Sequence, residues 1–254
     1  MELYKKLAVI RCFTRRDVVR LTGSENAARW QIYNYLTKGY IERVRRDLYA
    51  VISLETGRAV PNKFQIAASV SDRAYISHHS AFEFYGYGNQ VFCEVCFASP
   101  SRVSAFEYDG IYYLPVAWRG DIGVENAGNG VRVTSPERTV IDSIADFEKI
   151  GGLEELLRCM LMIPSLDAGK LLASLELYHH GQLYQKAGYI LEMFKKEMSI
   201  PDSFLDECES RISESKTYIF HKRSDFILHK RWKLFAPADL RSVIDKGVTD
   251  YAAV

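Results

Sequence analysis

The chain has 254 residues, 48% of them hydrophobic and 26% charged, which is the balance of a globular protein and not of a disordered or membrane-embedded one. Its length exceeds one domain of about 100 to 150 residues, so two domains are expected. No apolar run approaches the roughly 18 to 20 residues of a membrane span, and the bases Lys5, Lys6 and Arg11 are not followed by a signal-peptide core, so the reading is a cytoplasmic protein with no membrane partner.

The net charge of +1 is unevenly spread: residues 1–51 hold eleven bases against five acids, a balance of +6 that leaves −5 for the remainder. A basic head on an acidic body is the footprint of a chain in which one module meets nucleic acid. The head reads as three helices and a hairpin. Leu3, Leu7 and Ile10 have helical spacing. Thr14, three residues before Asp17, caps a second helix that buries Val18, Val19 and Leu21. Gly23 then makes a turn, and Ser24 caps a third helix running to Lys38, with Gly39 as its stop. Strands at 40–44 and 48–52 flank a turn at Arg45, Arg46 and Asp47, where aspartate can enter the left-handed region that glycine enters more readily. Residues 1–52 therefore form a predicted winged helix-turn-helix domain, and 53–61 form a linker.

The body, 62–254, reads as an α+β domain with a sub-boundary near 150. Helices are predicted at 64–70 and 77–85, strands at 91–98, 104–108 and 111–116 with a hairpin signal at Asp109 and Gly110, and a further strand at 131–134. Pro136 opens a helix at 137–147. Beyond Gly151 the pattern is mostly helical, at 153–162, 167–178, 182–198 and 201–212. Short strands at 217–221 and 226–234 and a last helix at 238–246 follow. The fold class is thus α+β, with a mixed α/β body and a largely helical C-terminal part.

In a helix-turn-helix the third helix lies in the major groove and its outward face reads bases. Packing Ala28, Ile32, Tyr35 and Leu36 inward leaves Asn26, Trp30 and Tyr33 outward with Arg29 on the flank. Asn26 suits adenine and Arg29 guanine. Trp30 and Tyr33 are expected on thymine methyls or the sugar-phosphate, or else against another domain. Arg45 and Arg46 are expected at the wing tip, and Arg15, Arg16 and Ser24 on the phosphate backbone.

No catalytic, metal or cofactor site is expected. His78 and His79 with Glu83, and Glu137 and Arg138 with Asp142, are explained as polar residues that cap and solvate helix starts. Adjacent histidines lack the i, i+4 spacing of a helical zinc motif. The five cysteines, Cys12, Cys93, Cys96, Cys159 and Cys208, read as reduced thiols, with the Cys93/Cys96 pair buried in a strand. The alternatives to a DNA-binding regulator are a nucleic-acid-processing enzyme targeted by the winged helix and a metabolite-responsive regulator.

Three segments in order, Phe13 through Val51, Tyr75 through Glu83 and Val133 through Asp142, resemble the AbiEi antitoxins of type IV toxin-antitoxin and abortive-infection systems. The resemblance extends from residue 5 to about 165. It implies a transcriptional repressor that binds inverted repeats in double-stranded DNA of its own promoter. It also implies that the body opposes a nucleotidyltransferase-like toxin without a stable complex between them. His79, Glu83, Glu137, Arg138 and Asp142 would then form a partner surface.

Overall fold

The computed structural model describes residues 2–246, and the last eight residues of the predicted body lie outside them. The fold is mixed α/β, with eleven α-helices among the described residues. None of these helices is long and apolar enough to cross a membrane. The chain divides into two compact units, one built from Met1–Ile76, Phe92–Trp118 and Asn126–Val133, the other from Ser77–Val91, Arg119–Glu125 and Thr134–Val254.

The first unit begins with α1 (Glu2–Ile10), β1 (Cys12–Phe13), α2 (Arg15–Thr22), α3 (Glu25–Thr37), β2 (Ile41–Arg45) and β3 (Leu48–Val51). Local chemistry sets the two central helices. The Asp17 carboxylate accepts the Thr14 backbone N–H at 2.8 Å and its hydroxyl at 2.7 Å, closing the start of α2. Gly23, at φ 72, ends that helix with its N–H on the Val19 carbonyl, and Ser24 accepts from the Ala27 N–H to start α3. The strands form an antiparallel sheet in the order β1-β3-β2. β1 was not anticipated, because two residues carry no periodicity. Leu7, Phe13, Val18, Ala28, Ile32, Tyr35, Ile41 and Val51 make the core. Asp47 stands at φ 60 in the hairpin turn, and its Oδ1 accepts the Arg15 backbone N–H at 3.2 Å. An aspartate there supplies a bond to the first turn of α2 that glycine could not.

This unit continues through α4 (Lys63–Ala68), β4 (Tyr75–Ile76), β5 (Glu94–Ala98), β6 (Phe106–Tyr108), β7 (Ile111–Val116), the last residue of β8 (Val124–Asn126) and the first two of β9 (Arg132–Thr134). The six-stranded sheet has the order β6-β7-β5-β4-β9-β8, parallel at β5/β7 and β4/β9 and antiparallel at β4/β5 and β6/β7. Its central strand β5 buries Val95 through Ala98 without alternation, as an interior strand does. Cys93 precedes that strand and is exposed while Cys96 is buried, which corrects the expectation that both cysteines are interior.

In the second unit α5 (His79–Tyr85), α6 (Pro136–Ala145), α7 (Leu153–Leu161), α8 (Ala168–Glu176), α9 (Gly181–Met193) and α10 (Asp202–Ser210) precede a small sheet. That sheet, β10 (Thr217–Tyr218), β11 (Ile227–His229) and β12 (Leu234–Ala236), has the order β10-β12-β11, and α11 (Arg241–Lys246) follows it. The single strand predicted at 226–234 is broken by a turn in which Lys233 takes φ 46. Core residues include Phe82, Val140, Ile144, Leu156, Leu175, Ile190, Phe204 and Trp232. Trp232 packs against Gly188, where a Cβ would come within 2.1 Å of its ring.

Candidate functional site

On α3 the buried residues Ala28, Ile32 and Tyr35 alternate with an exposed face, Asn26, Arg29, Trp30 and Tyr33, at the 3.6-residue helical period. Trp30 is 61% and Tyr33 71% exposed, a display of aromatic surface that a core-packed helix otherwise avoids. Arg15 and Arg16 are exposed on α2, where Arg15 Nε lies 3.7 Å from Glu25 and Arg16 Nη1 3.7 Å from Asp72. Ser24 is exposed and occupied as the α3 cap. The hairpin departs from expectation. Arg45 ends β2 half-buried, its guanidinium 5.2 Å from the centre of the Phe106 ring, a cation–π contact, while Arg46 alone of the pair is exposed at the turn. A residue sixty-one positions away decides this, which no local pattern reveals.

The body residues expected on a solvated surface are inside. His79, Glu137, Arg138 and Asp142 are 1%, 7%, 0% and 2% exposed, and Glu83 is half-buried. Their burial has a physical cause: α6 is covered all round, so its polar side chains must satisfy one another. Asp142 Oδ1 accepts from Arg138 Nε at 2.7 Å and from the Tyr178 hydroxyl at 2.6 Å, and Oδ2 accepts from Ser77 Oγ at 3.1 Å. Arg138 Nη1 donates to the Ile122 carbonyl at 2.7 Å, and Gly123, at φ 69, lets that loop lie on the arginine stem, since a Cβ would fall 2.9 Å from Arg138 Cβ. The Glu137 carboxylate accepts the Asp167 N–H at 3.1 Å.

Ser77 Oγ also meets His78 Nδ1 at 2.8 Å. His78 itself sits at φ 55, ψ −138, a conformation costing about 1 to 3 kcal/mol that persists only where its surroundings fix it. Burial pushes its imidazole below the usual histidine range, against the opposing pull of Asp142 and Asp146. In this trio the hydroxyl lies between imidazole and carboxylate, whereas a Ser-His-Asp relay needs the imidazole in the middle. What the arrangement does is lock the 77–79 turn to α6.

A second cluster centres on Glu155. Its Oε1 meets His79 Nε2 at 3.2 Å, the Gln90 N–H at 3.2 Å and Cys159 Sγ at 3.4 Å, and its Oε2 accepts from Asn89 Nδ2 at 2.9 Å. Burial raises this carboxyl, but the hydrogen bonds from His79, Asn89 and Cys159 outweigh it and hold the pKa at about 2. Glu155 and its pairing with Cys159 escaped the sequence reading, which takes Cys159 only as a reduced thiol. The signal was present in their i, i+4 spacing on one helix, but the third member stands seventy-six residues from Glu155.

These elements define a mixed α/β protein with one exposed, polar-aromatic helix face and two buried polar clusters. No protein-family model matches the chain, and no curated protein matches it. Among solved structures it is similar to the RV2827C protein from Mycobacterium tuberculosis, at 16% identity and a TM-score of 0.62, over 96% of this chain and 93% of that one. The likeness is one of fold over nearly the whole length of both chains.

Proposed function

We propose that this chain is a DNA-binding transcriptional repressor and the antitoxin of an AbiE-like type IV toxin-antitoxin system. In this reading α1 to α3 and the β2–β3 hairpin form a winged helix-turn-helix that binds inverted repeats in the promoter of its own operon. The observation that carries the reading is the α3 face, where Asn26, Arg29, Trp30 and Tyr33 are all exposed on a capped, well-packed helix. The two-residue Gly23-Ser24 connection from α2 supports it, as does the +6 charge of residues 1–51. Asn26 and Arg29 read base edges, Trp30 and Tyr33 supply apolar contact, and Arg15, Arg16 and Arg46 hold phosphates. Arg45, engaged on Phe106, stiffens the wing.

The antitoxin part rests on the resemblance of residues 75–83 and 133–142 to AbiEi proteins. These segments build the buried Asp142 cluster, so they act by holding the body's shape and not as a displayed surface. The partner is a nucleotidyltransferase-like toxin encoded alongside, opposed without a stable complex.

Binding of the full chain to its upstream DNA, followed at several salt concentrations, tests this. Arg29→Ala should cost about 1 to 3 kcal/mol and relax preference at one base pair, while Arg46→Ala should weaken all sequences alike and reduce the salt slope by about one. Unchanged affinity and unchanged preference in both Asn26→Ala and Arg29→Ala would overturn the assignment of the α3 face. Co-expression with the neighbouring gene tests the second part: relief of toxicity should survive Arg46→Ala, and no relief by the wild-type chain refutes antitoxin action while leaving repression standing.

A further inference from the structure

We propose that His79 Nε2, the Glu155 carboxylate and Cys159 Sγ bind one zinc ion inside the second unit. The three ligand atoms lie within 4.8 Å of one another, all on buried residues. Zinc bonds of about 2.0 to 2.3 Å to nitrogen, oxygen and sulfur place tetrahedral ligand atoms about 3.3 to 3.7 Å apart. The 3.2 Å His79–Glu155 and 3.4 Å Glu155–Cys159 separations are already close to that. Only the histidine and the cysteine have to draw together, by about 1 Å at most. Glu155 and Cys159 occupy i and i+4 of α7, the spacing with which one helix presents two ligands to a metal. His79 comes from the first position of α5, where the constrained His78 conformation and the Ser77 bonds fix the backbone.

The surroundings are those of a ligand set. Coordinating groups are normally oriented by hydrogen bonds from outside. Here two consecutive backbone amides turn toward the anionic members, the Gln90 N–H to Glu155 and the Asn89 N–H to Cys159, and the Asn89 side chain holds the other carboxylate oxygen. His79, Cys159 and the Gln90 amide otherwise converge on the single oxygen Oε1, which is one donor more than its two lone pairs accommodate. A divalent cation removes that crowding. The thiol releases its proton to solvent, histidine presents Nε2 as its Nδ1–H tautomer, and one zinc with one thiolate and one carboxylate is a neutral group suited to a buried place. The mixed nitrogen, sulfur and oxygen set selects zinc over calcium or magnesium, which take oxygen. Asn89 and Gln90 are exposed, so the ion enters past their turn, and its binding fastens that turn to α7.

The test uses the full chain, stripped with a chelator and titrated with Zn²⁺ against a competing indicator and, separately, with Co²⁺. Expected are one ion per chain, about one proton released per ion near neutral pH, a thiolate-to-cobalt charge-transfer band, and a raised unfolding midpoint. Cys159→Ser should abolish the band and weaken binding at least about tenfold. Cys93→Ser, which removes the exposed thiol of the C-x-x-C pair, should leave both unchanged. X-ray absorption of the zinc-loaded wild type needs no variant to fold, and should show one sulfur among nitrogen and oxygen ligands. No bound ion in the folded wild type, coordination without sulfur, a band that survives Cys159→Ser or one lost in Cys93→Ser would each overturn the proposal.

Discussion

Replacing Asp142 by asparagine takes a carboxylate away from the buried Arg138 guanidinium. Arg138 has no exposed surface and its Nε donates to Asp142 Oδ1 at 2.7 Å, so the substitution removes a counter-charge while keeping the shape. Breaking a buried pair this way costs about 3 to 5 kcal/mol, because a charge held away from water has lost a carboxylate partner. Asparagine still offers one oxygen to Arg138 and Tyr178, which puts the expected loss near the lower end, about 3 kcal/mol, or somewhat over a hundredfold in the unfolding equilibrium. Asp142→Ala, which also strips the acceptor from Tyr178 and Ser77, should approach about 5 kcal/mol. Two compact units need not unfold together, so the probe must report on the second one. Of the three tryptophans, Trp30, Trp118 and Trp232, only the last belongs to it. Trp30→Phe with Trp118→Phe leaves Trp232 fluorescence as the reporter of urea unfolding. In that background a loss below about 1 kcal/mol for Asp142→Asn would refute the role of the pair. The double variant Arg138→Met with Asp142→Leu should recover much of the loss, since a packed apolar pair avoids both desolvation penalties. If it is as unstable as Asp142→Asn, loss of the Arg138–Asp142 ion pair is not the cause.

Two further outcomes follow from packing and burial. Gly188→Ala gains helix propensity, worth up to about 1 kcal/mol, but its Cβ would meet the Trp232 ring at 2.1 Å and disturb an indole whose Nε1 donates to Glu192 at 2.7 Å. Overpacking should win, with a net loss of about 1 to 2 kcal/mol in the same fluorescence assay, and a stabilised variant would show that the tryptophan does not lie on the glycine. Lys186 is desolvated, which lowers its pKa from 10.5. The unfolded chain therefore binds the proton more tightly, and this residue's contribution to stability rises as pH climbs from the lowered folded value toward 10.5. Lys186→Met should abolish that gain and be more stable near neutral pH. Comparing wild type with variant at about pH 8 and about pH 10 cancels the opposing ionisation of tyrosines, and identical pH slopes would refute the desolvation argument.

How much of this was legible in advance depends on the range of the interactions. Thr14 with Asp17, Gly23, Ser24 and Pro136 are local signals, acting within one turn of helix, and each marks a boundary within a residue or two of the observed one. The alternation of Ala28, Ile32 and Tyr35 with Asn26, Trp30 and Tyr33 likewise follows from helical geometry alone. Two-residue strands such as β1 and β4 have no period to detect; the partner strand creates them. The polar residues of α5 and α6 misled for a different reason. Histidine, arginine and aspartate near helix starts are ordinarily solvated, and only the tertiary closure of Ser77, Asp142, Tyr178 and the Ile122 carbonyl around Arg138 makes an interior site for them. Arg45 on Phe106 and His79 on Glu155 are of the same kind, pairs made by the fold across more than sixty residues.

The division of the chain into its two units has a consequence for how the protein is made. The backbone passes from one unit to the other five times between Ile76 and Thr134. During synthesis the amino-terminal unit therefore cannot complete its six-stranded sheet until residue 134 has emerged, by which time α5 and the start of the second unit are already outside the ribosome. The usual order, in which an N-terminal domain finishes before the next begins, is closed to it. Cutting the gene after residue 76 to isolate an amino-terminal fragment would discard strands β5 to β9, leaving β4 without partners and an uncovered edge prone to self-association.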